Sequence, residues 1–595
     1  MSWLRQFPIR RRLWAIIVTA LTLTNLGTQP RLVSAADDLA ATVPSGAVFF
    51  AEISGLEPWI EKLQNSQIVA SLPANPQVQA FYQTPQGKKA DAGRKLVETQ
   101  LGMDLWTLGK TLFGNKMAVA LYPHDGRKEP DAVIIVQAKE AASLNRIRER
   151  LDPLLVLIGD QTQASSGPAG SSLRNYDGKL FVADKDNWIV LTSTQDLMTS
   201  TVSMLTGAKS ETQKSLSQDA AFVAMTKQMG DQHLARSYVN LELITKAMGG
   251  RLGPDKLDNP LASLIGGGLY ELANRSPFFG STIDLNDEHL LLTNAVAGKP
   301  ESLGKKYQPL FAAADKPDAT RLPTVPSLIG GFTLHRDFAG WYKRREELLQ
   351  AKVLPEFDKF ESGLSNILPS RDFGSDILPT FGHNLTFLAA PQDYSHLQGK
   401  PGMQLPGLAL VFDLAKPADG EEILSLFFQT ISTITNLNAA QQGRQPWVLS
   451  SESYKNVQIT FGKYGQKPKG DRLPVIFNFM PAAARVGDKF VMSSSVDLCK
   501  HLIDVYSIPV TTTATRKPTR DDFLFELTGE SLANMLEVNR GLLEARSVAQ
   551  EGKTSEQAQA DTTTLLQLVR AVRTLRLTNG AEGAGYQIQL EARWK

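Results

Sequence analysis

Histidine and cysteine are the side chains best suited to bind a metal or to act as base and nucleophile near neutral pH. The chain has one cysteine, Cys499, and seven histidines, which are His124, His233, His289, His335, His383, His396 and His501. No two histidines are four residues apart, the spacing that puts two ligands on one helical face, and no HExxH motif occurs. The sequence therefore assigns no metal-binding residue, and a zinc site would need residues distant in the chain.

A phosphate-binding loop has its nearest match at Gly109-Lys110-Thr111. A P-loop requires another glycine five positions before the glycine that precedes lysine, and Asp104 occupies that position. Gly109 is instead expected to interrupt or end a helix. The run Gly266-Gly267-Gly268 has no lysine after it, so a flexible turn is expected there. The sequence assigns no cofactor.

A calcium loop is suggested by the alternation of Asp284, Asn286 and Glu288. Such a loop also requires glycine at its sixth position and glutamate at its twelfth, and the twelfth residue here is Ala295. Because Asn and Asp favour turns, the sequence predicts a hairpin turn rather than a metal site.

Nucleophilic catalysis has no local signature in this chain. No GxSxG elbow occurs, and His501 is only two residues from Cys499, which points the two side chains apart on a helix. Cys499 is expected to be a buried small hydrophobe. The hydroxyl runs 192–194 and 493–495 are expected to end a strand and cap a helix. No catalytic residue is assigned, although a triad of distant residues stays an alternative.

The elements that must position any site occur twice along the chain, in the same order, as expected of an internal repeat. Val43-Pro44-Ser45 matches Val325-Pro326-Ser327 at an offset of 282 residues, which pairs Trp59 with Trp341. Further matches relate residues 114–123 to 382–391, 132–139 to 409–416, and 187–197 to 488–498, at offsets of 268, 277 and 301. Trp59 and Trp341 are expected to occupy equivalent, largely buried positions.

The predicted fold class is α+β. Several apolar, strand-like segments follow one another without a helix between them, which favours a largely antiparallel or mixed sheet with packed helices. The chain is predicted to form two homologous lobes, with a signal peptide at 1–36, a first repeat at 37–298, a linker at 299–321 and a second repeat at 322–595.

The N-terminus has the three parts of a secretory signal. Four arginines between residues 5 and 12 precede an apolar stretch at 13–26, and small residues follow at 33–36. Cleavage is expected near Ala35 or Ala36, with an uncleaved membrane anchor as the alternative. Cleavage removes five of the 63 Lys and Arg residues and no acid, so the mature chain is near neutral and lacks the basic stripe typical of nucleic-acid binding. One cysteine excludes an intramolecular disulfide.

The repeated strand patterns, and above all Ile189-Val190-Leu191-Thr192-Ser193-Thr194 leading to Asp196, resemble an uncharacterised family of exported bacterial proteins, domain of unknown function 3352. The resemblance implies export in bacteria, to the periplasm or beyond the cell, and implies no activity. The sequence predicts a non-catalytic envelope protein with a binding or scaffold role, with an extracytoplasmic hydrolase as the alternative. Its partner is expected to be an envelope protein or a small ligand, not a nucleic acid, and the mature chain is expected to have no transmembrane span.

Overall fold

A computed structural model describes residues 38–594, apart from 67–68, 71, 75, 125, 127–128, 156–164, 168–169, 209–211, 313–320, 465–469 and 509–519. The predicted signal peptide therefore lies outside the described residues. The chain divides into two compact units. The first unit contains the described residues up to Ile244 together with Pro277–Asn294, and the second contains Thr245–Ser276 and the described residues from Ala295 onward.

In residues 38–297, helices alternate with strands that pair antiparallel. In chain order they are β1 (Phe49–Ser54), α1 (Glu57–Gln64), α2 (Pro76–Gln83), α3 (Pro85–Leu101), α4 (Leu105–Phe113), β2 (Lys116–Tyr122), β3 (Asp131–Gln137), α5 (Ala141–Leu155), β4 (Ser165–Ser166), β5 (Ser172–Tyr176), β6 (Leu180–Lys185), β7 (Trp188–Thr192), α6 (Gln195–Leu205), α7 (Ala220–Met229), β8 (Ala235–Asn240), α8 (Leu241–Ala247), α9 (Pro260–Arg275), β9 (Phe278–Leu285) and β10 (His289–Ala297).

The remaining elements, in residues 298–594, follow a similar alternation. They are β11 (Gly330–His335), α10 (Phe338–Lys343), α11 (Arg345–Leu348), α12 (Leu354–Ser365), β12 (Phe381–Ala390), β13 (Lys400–Pro401), β14 (Gly407–Leu414), α13 (Pro417–Gln441), β15 (Trp447–Tyr454), β16 (Val457–Tyr464), β17 (Arg472–Leu473), β18 (Ala482–Val486), β19 (Lys489–Ser493), α14 (Val496–Ser507), β20 (Arg520–Thr528), α15 (Gly529–Glu537), α16 (Arg540–Glu551), α17 (Ser555–Ala571), β21 (Val572–Glu582) and β22 (Gly585–Trp594).

The strands of the first unit lie in the order β4-β5-β6-β7-β3-β2-β1-β8-β9, with antiparallel neighbours throughout. β10 pairs with β9. The strands of the second unit lie in the order β15-β16-β18-β19-β14-β12-β11-β20-β21-β22, again antiparallel. A separate two-residue pair joins β13 and β17 in parallel. Helices packed on antiparallel sheets confirm the predicted α+β class.

Each unit buries its own apolar face. In the first unit, Met117, Val136 and Ile189 on three strands pack with Leu144 of α5. In the second unit, Leu388, Val411, Ile459 and Val491 on four strands pack with α14. α14 presents Leu498, Cys499, Leu502 and Ile503 to this core, the spacing of one apolar helical face.

The predicted linker at 299–321 includes two short helices of 3-10 type, Pro300–Ser302 and Lys305–Leu310. Its residues Tyr307, Leu310 and Phe311 are buried, so the described part of this segment packs into the second unit. The domain boundaries drawn from the sequence stay a prediction.

The glycine run Gly266-Gly267-Gly268 lies inside α9 and is not a flexible turn. A Cβ atom on Gly268 would lie 2.4 Å from the ring of Phe311. The glycine therefore serves close packing between α9 and the chain after it, a reason that composition alone does not reveal. Among the described residues, no helix has both the length and the apolar character needed to cross a bilayer.

Candidate functional site

A groove of about 550 Å³ opens at one end of the sheet in the second unit. Pockets that bind small ligands typically measure about 300 to 1,000 Å³. Its lining combines a chain segment, two strands and the start of a helix, and comprises Arg321, Leu322, Pro323, Thr324, Val325, Ser327, Leu328, Leu524, Glu526, Thr528, Ser531 and Arg576. A second cavity, beside Glu271, measures about 10 Å³, which is room for about one water molecule.

The floor of the groove is formed by alternate residues of β20. Leu524, Glu526 and Thr528 are two residues apart, so their side chains share one face of the strand. On β21, Arg576 lies directly opposite Glu526. Gly529 follows β20 and begins α15, where a Cβ atom would lie 1.9 Å from the carbonyl oxygen of Val572. Glycine thus permits the sharp turn that brings α15 over the end of the floor.

The rim of the groove is the segment 321–328, which leads into β11. Pro323 and Val325 are buried and anchor the segment, whereas Arg321, Thr324 and Ser327 are exposed. The Thr333 hydroxyl donates to the carbonyl oxygen of Arg321 at 3.3 Å. Ser327 adopts a left-handed backbone with φ of +51°, an uncommon conformation for a residue with a side chain. The hydrogen bond from Thr333 and the burial of Pro323 and Val325 hold the rim in place.

The chemistry of the lining is polar and cationic above an apolar base. Two guanidinium groups, of Arg321 and Arg576, accompany one carboxylate, of Glu526, and four hydroxyl groups. Guanidinium groups present several N–H donors in a planar fork that matches carboxylate and phosphate oxygens. Among the twelve lining residues there is no His, Cys, Lys or Asp, so Glu526 is their sole acidic side chain.

The same place on the sheet of the first unit is covered by a helix. Strand order and register relate β20 to β8 and β21 to β9, so that Glu526 corresponds to Tyr238 and Arg576 to Gly280. Phe222 of α7 packs against Tyr238 with ring centroids 5.3 Å apart. A Cβ atom on Gly280 would lie 2.6 Å from the sulfur of Met229 at the end of α7.

Among the residues that the structure describes, no helix lies directly before β20 in the chain as α7 lies before β8. Arginine and glutamate stand where the first unit has glycine and a buried tyrosine. Among the described residues, the groove thus lies at the position that α7 covers in the first unit, with Glu526 and Arg576 in place of Tyr238 and Gly280.

Cys499 is buried in α14 and not positioned for chemistry. Burial raises the pKa of the Cys499 thiol to about 12, so the thiol stays protonated and is a poor nucleophile at neutral pH. The hydroxyl of Thr194 accepts the N–H of Leu197 and caps α6. Ser495 is the N-cap residue of α14, without a side-chain bond to that helix. The predicted cap is therefore confirmed at Thr194, whereas the Ser495 hydroxyl does not cap α14.

The remaining sequence candidates also have structural roles. Gly109 lies inside α4, which continues to Phe113, so the prediction that Gly109 interrupts or ends a helix is wrong. The side-chain oxygen of Asn286 accepts the N–H groups of Glu288 and His289, each at 2.9 Å, which confirms a hairpin turn. Asp284 pairs instead with His233 at 2.8 Å. In the described part of the chain, no three His, Cys, Asp or Glu side chains cluster closely enough to hold a metal ion.

Sequence reasoning missed Arg321, Glu526 and Arg576, because no motif contains them. Their juxtaposition depends on strand pairing between residues 50 positions apart. The second unit has Glu526 and Arg576 where the first has Tyr238 and Gly280, but this difference can be recognised only once the strand register is known.

No family model and no curated protein matches the chain. Three crystal forms of TP0453 are similar to part of it in structure. Forms III, I and IV have TM-scores of 0.22, 0.23 and 0.19, with sequence identities of 12%, 11% and 11%. They cover 44%, 46% and 44% of this chain and 81%, 84% and 80% of TP0453. At TM-scores this low, the likeness supports no conclusion about fold or function.

Proposed function

We propose that this protein is an exported, non-catalytic binding protein whose groove in the second unit takes a small ligand bearing an anionic group. The observation that carries the proposal is the open groove of about 550 Å³ at the place where the first unit is filled by Phe222, Met225 and Met229 of α7. Arg321 and Arg576 outnumber Glu526 in the lining, which favours an anion. Leu524 and Leu328 supply an apolar surface for the body of the ligand.

The proposal includes an origin by tandem duplication, supported by main-chain hydrogen bonds that recur between corresponding strands of the two units. The N–H of Val48 donates to Leu121, and that of Ile329 donates to Ala389. The N–H of Asn240 donates to Val48, and that of Thr528 donates to Ile329. Left-handed residues Gly46 and Ser327 precede the two opening strands at the same offset of 281 residues. After duplication, one copy kept a filled sheet face and the other gained a groove.

Export and membership of the family with domain of unknown function 3352 are part of the same proposal. They rest on the arginine-led apolar N-terminus and on the repeated strand patterns. An envelope protein with a single cysteine must be stable without an intramolecular disulfide. The apolar core of each unit supplies that stability.

The test is a thermal-shift screen of small carboxylates and phosphates against neutral compounds of similar size. A ligand at 100 times its dissociation constant adds about 2.7 kcal/mol to the stability of the folded state. Thr324 is exposed on the rim, so Thr324→Trp is expected to fill the groove and abolish the shift. Ser362→Trp, at an exposed position of α12, is the matched control and is expected to leave the shift intact.

Enzyme activity is the outcome that would overturn the proposal. The purified protein is expected to show no turnover on panels of esters, peptides, phosphates and glycosides. Reproducible hydrolysis that Glu526→Gln abolishes without lowering the melting temperature would establish a hydrolase instead.

A further inference from the structure

The strand β15 forms the outer edge of the sheet in the second unit. It pairs with β16 over its whole length, from Trp447 opposite Tyr464 to Tyr454 opposite Val457, without a bulge. No other strand in the described part of this unit pairs with it. An edge strand of this length presents a row of open N–H and C=O groups, which natural proteins usually blunt or cover.

The direction of these groups follows from the side chain of Asn436 at the end of α13. Its amide donates to the carbonyl oxygen of Trp447 and its carbonyl oxygen accepts the N–H of Trp447, both at 2.8 Å. In an antiparallel strand, the N–H and C=O of one residue point to the same side, and the side alternates along the chain. The backbone N–H and C=O of Trp447 therefore point away from β16. The same holds for the backbone groups of Leu449, Ser451 and Ser453.

Exposed apolar side chains lie along this edge strand. Leu449 and Val448 are 39% and 48% exposed. α13 packs its Phe428 against Ala483 of β18, and register places Ala483, Thr460 and Ser451 on one face of the sheet. α13 thus lies on the face of β15 that bears Leu449 and Ser451.

The outer face of α13 is also apolar. Leu426, Ile434 and Leu437 are 40%, 40% and 60% exposed, and their spacing of eight and three residues places them on one side of the helix. From Ile423 to Gly443 the chain has no charged residue and no histidine. Helices that lie on membrane surfaces carry Lys or Arg on their polar face, so this helix lacks the feature that draws such helices to anionic lipid.

We propose that β15 and α13 form a homodimer interface, in which β15 pairs antiparallel with β15 of a second copy of this chain. A two-fold interface must be self-complementary. Residues 423–443 carry no charge and Glu452 of β15 is paired with Lys500, so this part of the surface faces its own copy without like-charge repulsion.

The residues of β15 whose backbone groups point away from β16 determine the register between the two copies of β15. Ser451 lies opposite Ser451 of the second copy, and Leu449 opposite Ser453. This pairing satisfies the three outward residues that remain after Asn436 has bonded the backbone of Trp447. Glu452, the sole charged residue of β15, then lies opposite Ser450 and not opposite another Glu452. It keeps its ion pair with Lys500 at 2.8 Å. This interface is separate from the groove, so the two proposals fail independently.

Sedimentation of the purified chain over a dilution series tests the interface. We expect a reversible dimer, and we expect Leu449→Lys to raise its dissociation constant by at least about tenfold, because the substitution enters a two-fold interface twice. Leu568→Lys is the matched control, at a residue 49% exposed on α17, and should leave the dimer intact. A monomer at every concentration, or a dimer insensitive to Leu449→Lys, would overturn the proposal.

Cysteine cross-linking tests the register, in a Cys499→Ser background. Opposed residues in a hydrogen-bonded antiparallel pair have Cα atoms about 5.5 Å apart, within disulfide range. Ser451→Cys is therefore expected to form a covalent dimer under mild oxidation. The two copies of residue 453 are about 13 Å apart along the strand in this register, so Ser453→Cys should not. Equal cross-linking of both variants, open-ended polymers, or sedimentation with neutral or anionic vesicles would contradict a two-fold β15 interface.

Discussion

Ser193 and Ser494 make the same two hydrogen bonds in the two units. The N–H of Ser193 donates to the carbonyl oxygen of Ala132, and its hydroxyl accepts the N–H of Ala132 at 3.0 Å. The N–H of Ser494 donates to Leu408, and its hydroxyl accepts the N–H of Leu408 at 2.9 Å. Each serine thereby joins the end of one strand to the start of its neighbour. Both serines lie in the matched segments 187–197 and 488–498, so the sequence repeat predicts this shared local structure.

A buried ion pair distinguishes the two sheets and gives a first prediction. Glu52 and Arg236 lie opposite each other on β1 and β8, with Nε to Oε2 at 3.0 Å, and both are buried. The corresponding pair in the second unit is Thr333 opposite Leu524. Arg236→Leu alone is expected to cost about 3 to 5 kcal/mol, because it leaves a buried carboxylate unpaired.

The double variant Glu52→Thr with Arg236→Leu copies the pair of the second unit and should recover most of that loss. Urea denaturation of the three proteins measures both effects. If the double variant is as unstable as Arg236→Leu, the two sheet positions are not interchangeable and the proposed equivalence of the units is wrong.

Two neighbouring glycines of α9 give a second prediction. Gly268→Ala is expected to destabilise the protein by about 1 to 3 kcal/mol, because the new methyl group would force the buried Phe311 ring to move. At Gly266 a Cβ atom meets nothing within 4 Å, so Gly266→Ala should stabilise the helix by up to about 1 kcal/mol. Thermal denaturation of both variants checks the difference, and equal effects would contradict the packing described for α9.

A third prediction concerns acid stability. Burial acts to raise the pKa of Glu271, but hydrogen bonds from Arg251 and Arg275 outweigh it and hold the pKa below its usual value of 4.5. A carboxyl group with a lowered pKa stabilises the fold above its unfolded pKa, and this contribution disappears as pH falls. Glu271→Gln should therefore be less stable than the natural protein at pH 7, with a difference that shrinks below pH 4.5.

Glu361 provides the control for the acid series, because burial raises its pKa. A carboxyl group with a raised pKa destabilises the fold when it is ionised, which is the opposite of the effect of Glu271. The stability of Glu361→Gln relative to the natural protein should therefore fall as pH decreases. Melting temperatures of the three proteins between neutral and acidic pH decide the matter. A Glu271→Gln difference that does not change with pH would show that Glu271 stabilises the fold without its charge.

The fold class and most strands were predictable from the sequence, but their register was not. The sequence match relates β3 to β14 by 277 residues, whereas strand pairing relates them by 276, because Val133 and Ala409 occupy the same place opposite Thr192 and Ser493. A slip of one residue turns every side chain to the other face. Both faces of β3 are largely apolar, so the pattern of hydrophobic residues gave no means of detecting the slip.

The same slip affects the helices after the first strands. Leu56 and Asp337 are the N-cap residues of α1 and α10 and are 281 residues apart, so Trp59 corresponds to Gly340 and not to Trp341. Trp59 is buried, whereas Trp341 is half-buried, with its Nε1 atom 3.4 Å from the Ser263 hydroxyl. The predicted equivalence of the two tryptophans is wrong, because aromatic identity outweighed register in the sequence comparison.

The groove could not be predicted, because it depends on a pairing between Glu526 and Arg576 that only the sheet brings about. Native mass spectrometry of the protein purified from its own source tests the groove most directly. We expect the natural protein and Ser362→Trp to carry the same additional small mass, and Thr324→Trp to carry none. The same bound mass on all three proteins, or none on any, would contradict a ligand site at Arg321, Glu526 and Arg576.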